Sequence, residues 1–212
     1  MTQVVTSNPV AVNSPDHINP YGTSRDNSTN LKFVKEIKDK HGHPINFLDI
    51  GCSGGQLVVD FHITGNFAIG LEGSDYSVKH ERANWPVYHN KILFTCDCSK
   101  PFFILDDDGF FIQFDVITAW EVIEHFSPHD LSQVFLNISN HLKPGGSFYG
   151  TINPEPDTAG PWHQSVFSKT EWLSNKLNDH SLLLDTQLVL KKYSLKEVVR
   201  IEGFAIELEK TL

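Results

Sequence analysis

The stretch FLDIGCSGG, Phe47–Gly55, decides how this chain is read. An apolar run from Ile45 to Ile50 enters a turn built on Gly51, Gly54 and Gly55, and Gln56–Ile63 then reads as a helix. Apolar runs without alternation are strands buried on both faces. Glycines between such a strand and a helix permit a tight turn and let a ligand approach the backbone closely. Alone, the turn is common to many nucleotide-binding folds.

Working outward, the same alternation continues. Phe67–Leu71, Ile92–Thr95, Phe114–Ala119 and Ser147–Ile152 read as further buried strands, and Tyr76–Ala83 as a helix. The next helix is expected to start at Ser127-Pro128, with Asp130 favoured by the dipole, and to stop at Lys143-Pro144-Gly145-Gly146. Its face is Leu131, Val134, Phe135, Ile138 and Leu142. Ser168-Lys169-Thr170-Glu171 is a capping box for a helix running to about Asn178. Thr186–Leu190 and Phe204–Leu208 are strand-like and expected to pair as a hairpin at a sheet edge. Before the core, Leu31–Lys40 is a short amphipathic helix, and residues 1–29, rich in Asn, Ser, Thr, Pro and Asp, read as an extended arm. The pattern predicts an α/β, doubly wound, mostly parallel seven-stranded sheet with a C-terminal antiparallel hairpin, residues 30–212 forming one domain behind the arm.

Bulk properties narrow the function. The chain has 212 residues, 40% of them apolar, and a net charge of −9. That charge argues against nucleic acid or an acidic membrane as partner. Lys191, Lys192, Lys196 and Arg200, the late basic cluster, read as a solvated face. No run is apolar and long enough to span a bilayer, and the start lacks the signature of a signal peptide. Cys52, Cys96 and Cys98 read as reduced thiols in a cytoplasmic protein.

Glu72 follows Gly51 by about twenty residues, the offset of a carboxylate that grips ribose hydroxyls at a strand's carboxyl end. Turn and acid together favour a nucleoside-bearing cofactor. The glycine spacing, Gly-x-x-Gly-Gly with Gln56 in the last place, departs from the dinucleotide fingerprint.

From about Asn46 to Ile152 the chain resembles the class I S-adenosylmethionine-dependent methyltransferases, a Rossmann-like family. The resemblance rests on Asp49 with the turn Gly51, Ser53 and Gly55, on Glu72, on Asp97 after the third strand, on FDVITAWEVIEHF and on HLKPGGSFYGTI. It implies S-adenosylmethionine as cofactor. Asp49, Gly51, Cys52, Ser53 and Gly55 would cradle its aminoacyl part, Glu72 and Gly73 the ribose, and Asp97 and Cys98 the adenine. Trp120, together with Tyr21 from the arm, is expected beside the cofactor. Ser53 departs from the glycine the family carries there.

Glu121, Glu124 and His125 form Glu-x-x-Glu-His just after the fourth strand. This resembles ubiquinone-pathway O-methyltransferases and the small-RNA 2′-O-methyltransferases, in which these positions can bind a divalent metal, the RNA enzymes adding a later histidine. His163 is the candidate for that place. Glu121, His125 and His163 are therefore the candidate catalytic residues, and with Glu124 the candidate metal ligands; in relatives without metal the second Glu and the His support the following helix. Trp120 and Trp162 stack on an acceptor or pack in the core. Three readings follow: a methyltransferase acting on a small-molecule acceptor, a saccharide or another hydroxyl compound; a metal-assisted 2′-O-methyltransferase of RNA ends; and a non-catalytic S-adenosylmethionine-binding protein.

Overall fold

The computed structural model describes residues 2–158, 160–178 and 181–212. In chain order the elements are β1 (Gln3–Thr6), α1 (Pro15–Ile18), α2 (Tyr21–Arg25), α3 (Leu31–His41), β2 (Asn46–Ile50), α4 (Gln56–Ile63), β3 (Phe67–Glu72), α5 (Tyr76–Lys79), α6 (Trp85–Tyr88), β4 (Leu93–Thr95), β5 (Phe102–Leu105) and β6 (Phe114–Trp120). After a 3-10 turn at Ile123–His125 come α7 (Leu131–His141), β7 (Leu142–Ile152), a π-type helix Glu171–Asn178, β8 (Leu188–Lys191) and β9 (Phe204–Lys210).

Seven strands form the expected sheet, in the order β4-β3-β2-β6-β7-β9-β8. β2, β3, β4, β6 and β7 run parallel. β9 pairs antiparallel with β7, and β8 antiparallel with β9 at the edge. The core is the apolar content of these strands: Phe47, Leu48, Ile69, Leu71, Val116, Ile117 and Phe148 are fully buried. Helices close both faces. Phe33 of α3 meets Trp120 and Phe61 edge-on, and Phe47 stacks on Phe61 at 3.8 Å.

Several boundaries depart from the sequence pattern. The arm is built rather than merely extended: β1 pairs antiparallel with β5, a strand the pattern did not disclose because its alternation lasts only four residues. Ser14 caps α1, accepting from the Asp16 N–H, and Pro15 begins it. The helix expected over Tyr76–Ala83 stops after one turn at Lys79, Glu81 and Ala83 taking positive φ, and a separate one-turn helix, Trp85–Tyr88, follows beyond the expected span. Helix α7 starts after Asp130, a turn later than Ser127. Ser127 and Asp130 close that turn between them, while Asp130 also pairs with Lys100 at 2.8 Å. It ends at His141, before Lys143-Pro144-Gly145-Gly146, and the chain runs directly into β7. The capping box forms as expected, with Ser168 and Glu171 exchanging hydrogen bonds, but the helix it opens winds with π geometry. Among the described residues no helix is long and apolar enough to cross a membrane.

Candidate functional site

The strand order changes direction at β2, with β3 on one side and β6 on the other. Crevices open at the carboxyl ends of strands at such points. A cavity of about 830 Å³ lies there, inside the ~300–1,000 Å³ range of small-molecule sites. Gly51, Ser53, Glu72, Gly73, Asp97, Cys98, Trp120 and Glu121 line it from the strand ends, and Asp16, Tyr21, Thr23 and Asp26 from the arm. His125, His163, Trp162 and Arg200 complete the wall.

The turn after β2 is held by its backbone. Gly51 and Cys52 both donate to the Leu71 carbonyl, at 2.8 and 3.0 Å. Gly51 has φ +74, and a Cβ on it would strike the Val122 side chain. Ser53 stands where the family carries glycine, and the reason for glycine is visible: its φ is +46, in the left-handed region. Serine is kept there by its partners. Its N–H donates to Glu72 at 2.8 Å, its hydroxyl to the Asp26 carbonyl at 2.8 Å, and its carbonyl accepts from Trp85 Nε1 at 2.7 Å. Arg82 also donates to the Ser53 hydroxyl, at 2.9 Å.

Glu72, at the end of β3, accepts from the N–H groups of Ser53 and Ser74. Burial raises its pKa against those two bonds. Asp97 accepts from the Ser99 N–H and hydroxyl, at 3.0 and 2.7 Å, and Cys98 is buried beside it with its thiol pKa pushed up. Asp49, Cys52 and Gly55 stand behind the turn, off the wall of the main cavity. Asp49 accepts from Thr118 across β2 and β6 at 2.6 Å, and burial, partly offset by that bond, pushes its pKa up to about 7. It borders a small adjoining void of about 20 Å³ with Cys52 and Arg200. Gly55, at φ +82, precedes α4 and packs against Leu93.

The segment after β6 supplies the opposite wall. Glu121 has φ +55 and is nine-tenths buried, and among the described residues neither carboxylate oxygen has a hydrogen-bond partner. A bulky residue held in that conformation costs ~1–3 kcal/mol, and such strain clusters at functional positions. Glu124 is fully buried; one oxygen accepts from the Asn153 N–H at 2.8 Å and the other is unpartnered. Burial, against the nearby His125, pushes its pKa up to about 7. Its backbone carbonyl also receives the N–H groups of Gln164 and Ser165, tying the loop after β7 to this wall. His125 Nδ1 lies 2.9 Å from Asp16. Burial alone would lower the His125 pKa, but the hydrogen bond and charge of Asp16 raise it. His163 faces the His125 ring at 5.0 Å, with its Nδ1 on the Glu155 carbonyl and its N–H on Asp157.

Glu124, His125 and His163 offer ligand atoms that all lie within 4.8 Å of one another. Glu121, the fourth residue of the expected metal set, is not in that group among the described residues. The two tryptophans serve structure as well as cavity: Trp120 packs on Phe33, while Trp162 lies tilted against Tyr21 with ring centres 5.1 Å apart and donates to the Asn19 carbonyl. The Tyr21–Trp162 contact clasps the arm to the loop after β7.

Asp16, Asp26 and Arg200 join the site without a sequence signal, because each is far in the chain from the group it meets. Arg200 corrects an expectation: read as part of a solvated face, it is half-buried on the cavity wall, 3.0 Å from Glu202 and 3.6 Å from Asp26. Lys191, by contrast, is an exposed partner of Glu209 on the sheet edge.

One test of this electrostatic picture concerns Glu124. Its folded pKa, about 7, lies above the ordinary value, so the native state holds the proton longer than the unfolded chain. That contribution is complete at pH 4 and lost as pH rises through 7. Glu124→Gln retains an acceptor for Asn153 and carries no titrating proton. We expect its stability to gain on the wild type between pH 4.5 and 7.5 by on the order of 3 kcal/mol, read as a diverging pair of melting curves. A constant offset across that range would contradict the assignment.

Compared with known proteins, residues 23–188 match the methyltransferase domain family. The chain belongs to that family. The chain is 30% identical over 138 residues to the ubiquinone biosynthesis O-methyltransferase of Pelagibacter ubique, covering 60% of this chain and 54% of that one. It thus spans about half the length of this curated relative. Among solved structures it superimposes on magnesium protoporphyrin IX methyltransferase from Synechocystis with bound SAH, at a TM-score of 0.53, 14% identity and coverage of 94% and 96%. It also superimposes on the SAM-bound amino pentose methyltransferase of Micromonospora echinaspora, at a TM-score of 0.55, 14% identity and coverage of 85% and 89%. At those identities the likeness establishes the fold, which is that of the class I S-adenosylmethionine-dependent methyltransferases. The glycine turn and the Glu72 carboxylate at the strand ends would fit the S-adenosylmethionine that the sequence resemblance implies.

Proposed function

We propose that this chain transfers a methyl group from S-adenosylmethionine to a small-molecule acceptor. The observation that supports this best is the single cavity that joins Gly51, Glu72 and Asp97 on one side to Glu121, His125 and His163 on the other. In this reading Glu72 grips the ribose, Asp97 and Cys98 border the adenine, and the Gly51–Ser53 backbone receives the aminoacyl end, with Gly73, Trp120 and Tyr21 around it. Asp49, Cys52 and Gly55 act indirectly by shaping the turn. Residues 1–29 serve as a cover for the cofactor, with residues 30–212 as the catalytic domain. The three buried, free thiols agree with a cytoplasmic setting.

S-adenosylmethionine supplies an electrophilic methyl on a sulfonium with a good leaving group. The protein's task is then to align the acceptor and to take its proton. Asp16 fixes the ring of His125 through Nδ1 and leaves Nε2 to receive a proton from an acceptor O–H or N–H. Glu121 offers a second, unpartnered proton acceptor in the same wall. His163 borders the acceptor's approach.

Calorimetry tests the cofactor reading: S-adenosylmethionine should bind in the micromolar range and NAD should not. Absence of S-adenosylmethionine binding would overturn the proposal, and binding without methyl transfer to any acceptor would leave the non-catalytic reading.

A second reading has a specific observation behind it. The clustering of Glu124, His125 and His163, with Glu124 keeping one buried oxygen unpartnered, is a donor set that a divalent cation would fit. Such a cation would lower the pKa of an acceptor hydroxyl. EDTA should then abolish turnover and magnesium or manganese restore it. Full activity in EDTA excludes this reading. An RNA end as acceptor fits less well, because carboxylates outnumber cations on the cavity wall.

A further inference from the structure

We infer that the acceptor is a cationic amine, received by Glu121. The inference rests on the methyltransferase reading and narrows its substrate class.

Eight side chains lining the cavity are carboxylates and two are cations, Lys100 and Arg200. Both cations are already engaged. Lys100 lies 2.8 Å from Asp130, and Arg200 lies between Glu202 and Asp26 at 3.0 and 3.6 Å. Among the described lining residues, none is a cation without a carboxylate beside it. An acceptor bearing a carboxylate or phosphate would enter a field of its own sign with no counter-ion.

An acidic wall alone would show little, since the cofactor's sulfonium and ammonium also need compensation. The second observation is Glu121. Its side chain is buried at the cavity wall, both oxygens lack any hydrogen-bond donor among the described residues, and its backbone is held in the left-handed region. A buried carboxylate without donors is costly unless something supplies them. Every other carboxylate near the reacting end has a partner: Asp16 has His125, Asp157 has His163, and Glu124 has the Asn153 N–H. Among the described residues Glu121 alone of these has no hydrogen-bond donor or paired ion, only the more distant charge of Arg200. An ammonium offers three donors and a positive charge, and charge-assisted bonds to a carboxylate are the strongest of their kind.

The chemistry balances without another reactant. The ammonium gives one proton to Glu121 and becomes a neutral amine. Its nitrogen lone pair bonds to the methyl carbon as the carbon–sulfur pair withdraws onto sulfur, leaving a neutral thioether and a methylated ammonium. The proton on Glu121 passes to solvent as product leaves.

The test uses the full chain saturated with S-adenosylhomocysteine, in EDTA at pH 7.5, titrated calorimetrically with benzylamine, benzyl alcohol and benzoate. Benzylamine should bind at least about tenfold tighter than either of the others, and Glu121→Gln should erase that preference while keeping S-adenosylhomocysteine affinity within about threefold. Equal or tighter binding of the alcohol or the acid, a preference unchanged in Glu121→Gln, or no binding of any probe would overturn the amine assignment. The wild-type comparison decides the matter even where the variant folds poorly. Failure of S-adenosylhomocysteine itself to bind is a separate result, and would count against the methyltransferase reading instead.

Discussion

Glu72→Ala should lower S-adenosylmethionine affinity by at least about a hundredfold, two decades being ~2.8 kcal/mol. Two losses add. In the proposed pose the ribose loses a carboxylate able to accept charge-assisted hydrogen bonds from its hydroxyls, each worth ~1.5–3 kcal/mol. The turn also loses the acceptor for the Ser53 and Ser74 N–H groups, and Ser53 is the residue that the bond helps to hold at positive φ. Glu72→Gln keeps an amide oxygen and should lose less than the alanine variant. Calorimetry with both variants, alongside a melting curve to show that the fold persists, reads the effect. Wild-type affinity in Glu72→Ala would remove this residue from the cofactor site.

The second large effect is expected at Gly51. A methyl group there would overlap the Val122 side chain, reaching Cγ2 and lying 3.0 Å from Cγ1, on a residue already at φ +74. Val122 joins Trp120 and Glu121 in the segment that lines the cavity, so it cannot withdraw without moving that wall. Gly51→Ala should therefore destabilise the protein by ~2–4 kcal/mol and weaken S-adenosylmethionine binding in whatever fraction folds. Unchanged melting and unchanged affinity together would show that the turn has slack the structure does not reveal. Gly65 is a suitable control: it too has positive φ, +88, but a Cβ there meets nothing within 4 Å. Alanine at Gly65 should cost only the backbone term, ~1–2 kcal/mol.

How much of this was legible beforehand differs from residue to residue. The turn and Glu72 were readable because their spacing reflects one strand, one turn and one crossover, all local. Ser53 was readable as a departure but not as a strained residue, since φ +46 follows from bonds to Asp26, Glu72 and Trp85. The Glu-x-x-Glu-His segment marked three residues as one set. The structure divides them: Glu121 stays unpartnered, while Glu124 and His125 meet His163 from beyond β7. No spacing rule separates those fates, because the 3-10 turn at Ile123–His125 sets which side chains point together.

The arm shows the limit most clearly. Its composition reads as loop, and β1 is only four residues long. It becomes ordered by pairing with β5, about a hundred residues away, and by placing Asp16 on His125. By itself the amino-acid sequence determined the doubly wound sheet, because buried strands and glycine turns are imposed locally by backbone geometry, and the acid at a set offset pointed to a nucleoside-bearing cofactor. Only the tertiary structure decided which charges face one another across the cavity. Pairings such as Asp16 with His125 and Arg200 with Asp26, and the lack of a hydrogen-bond donor for Glu121 among the described residues, arise when segments distant in the chain are brought to one side of the sheet.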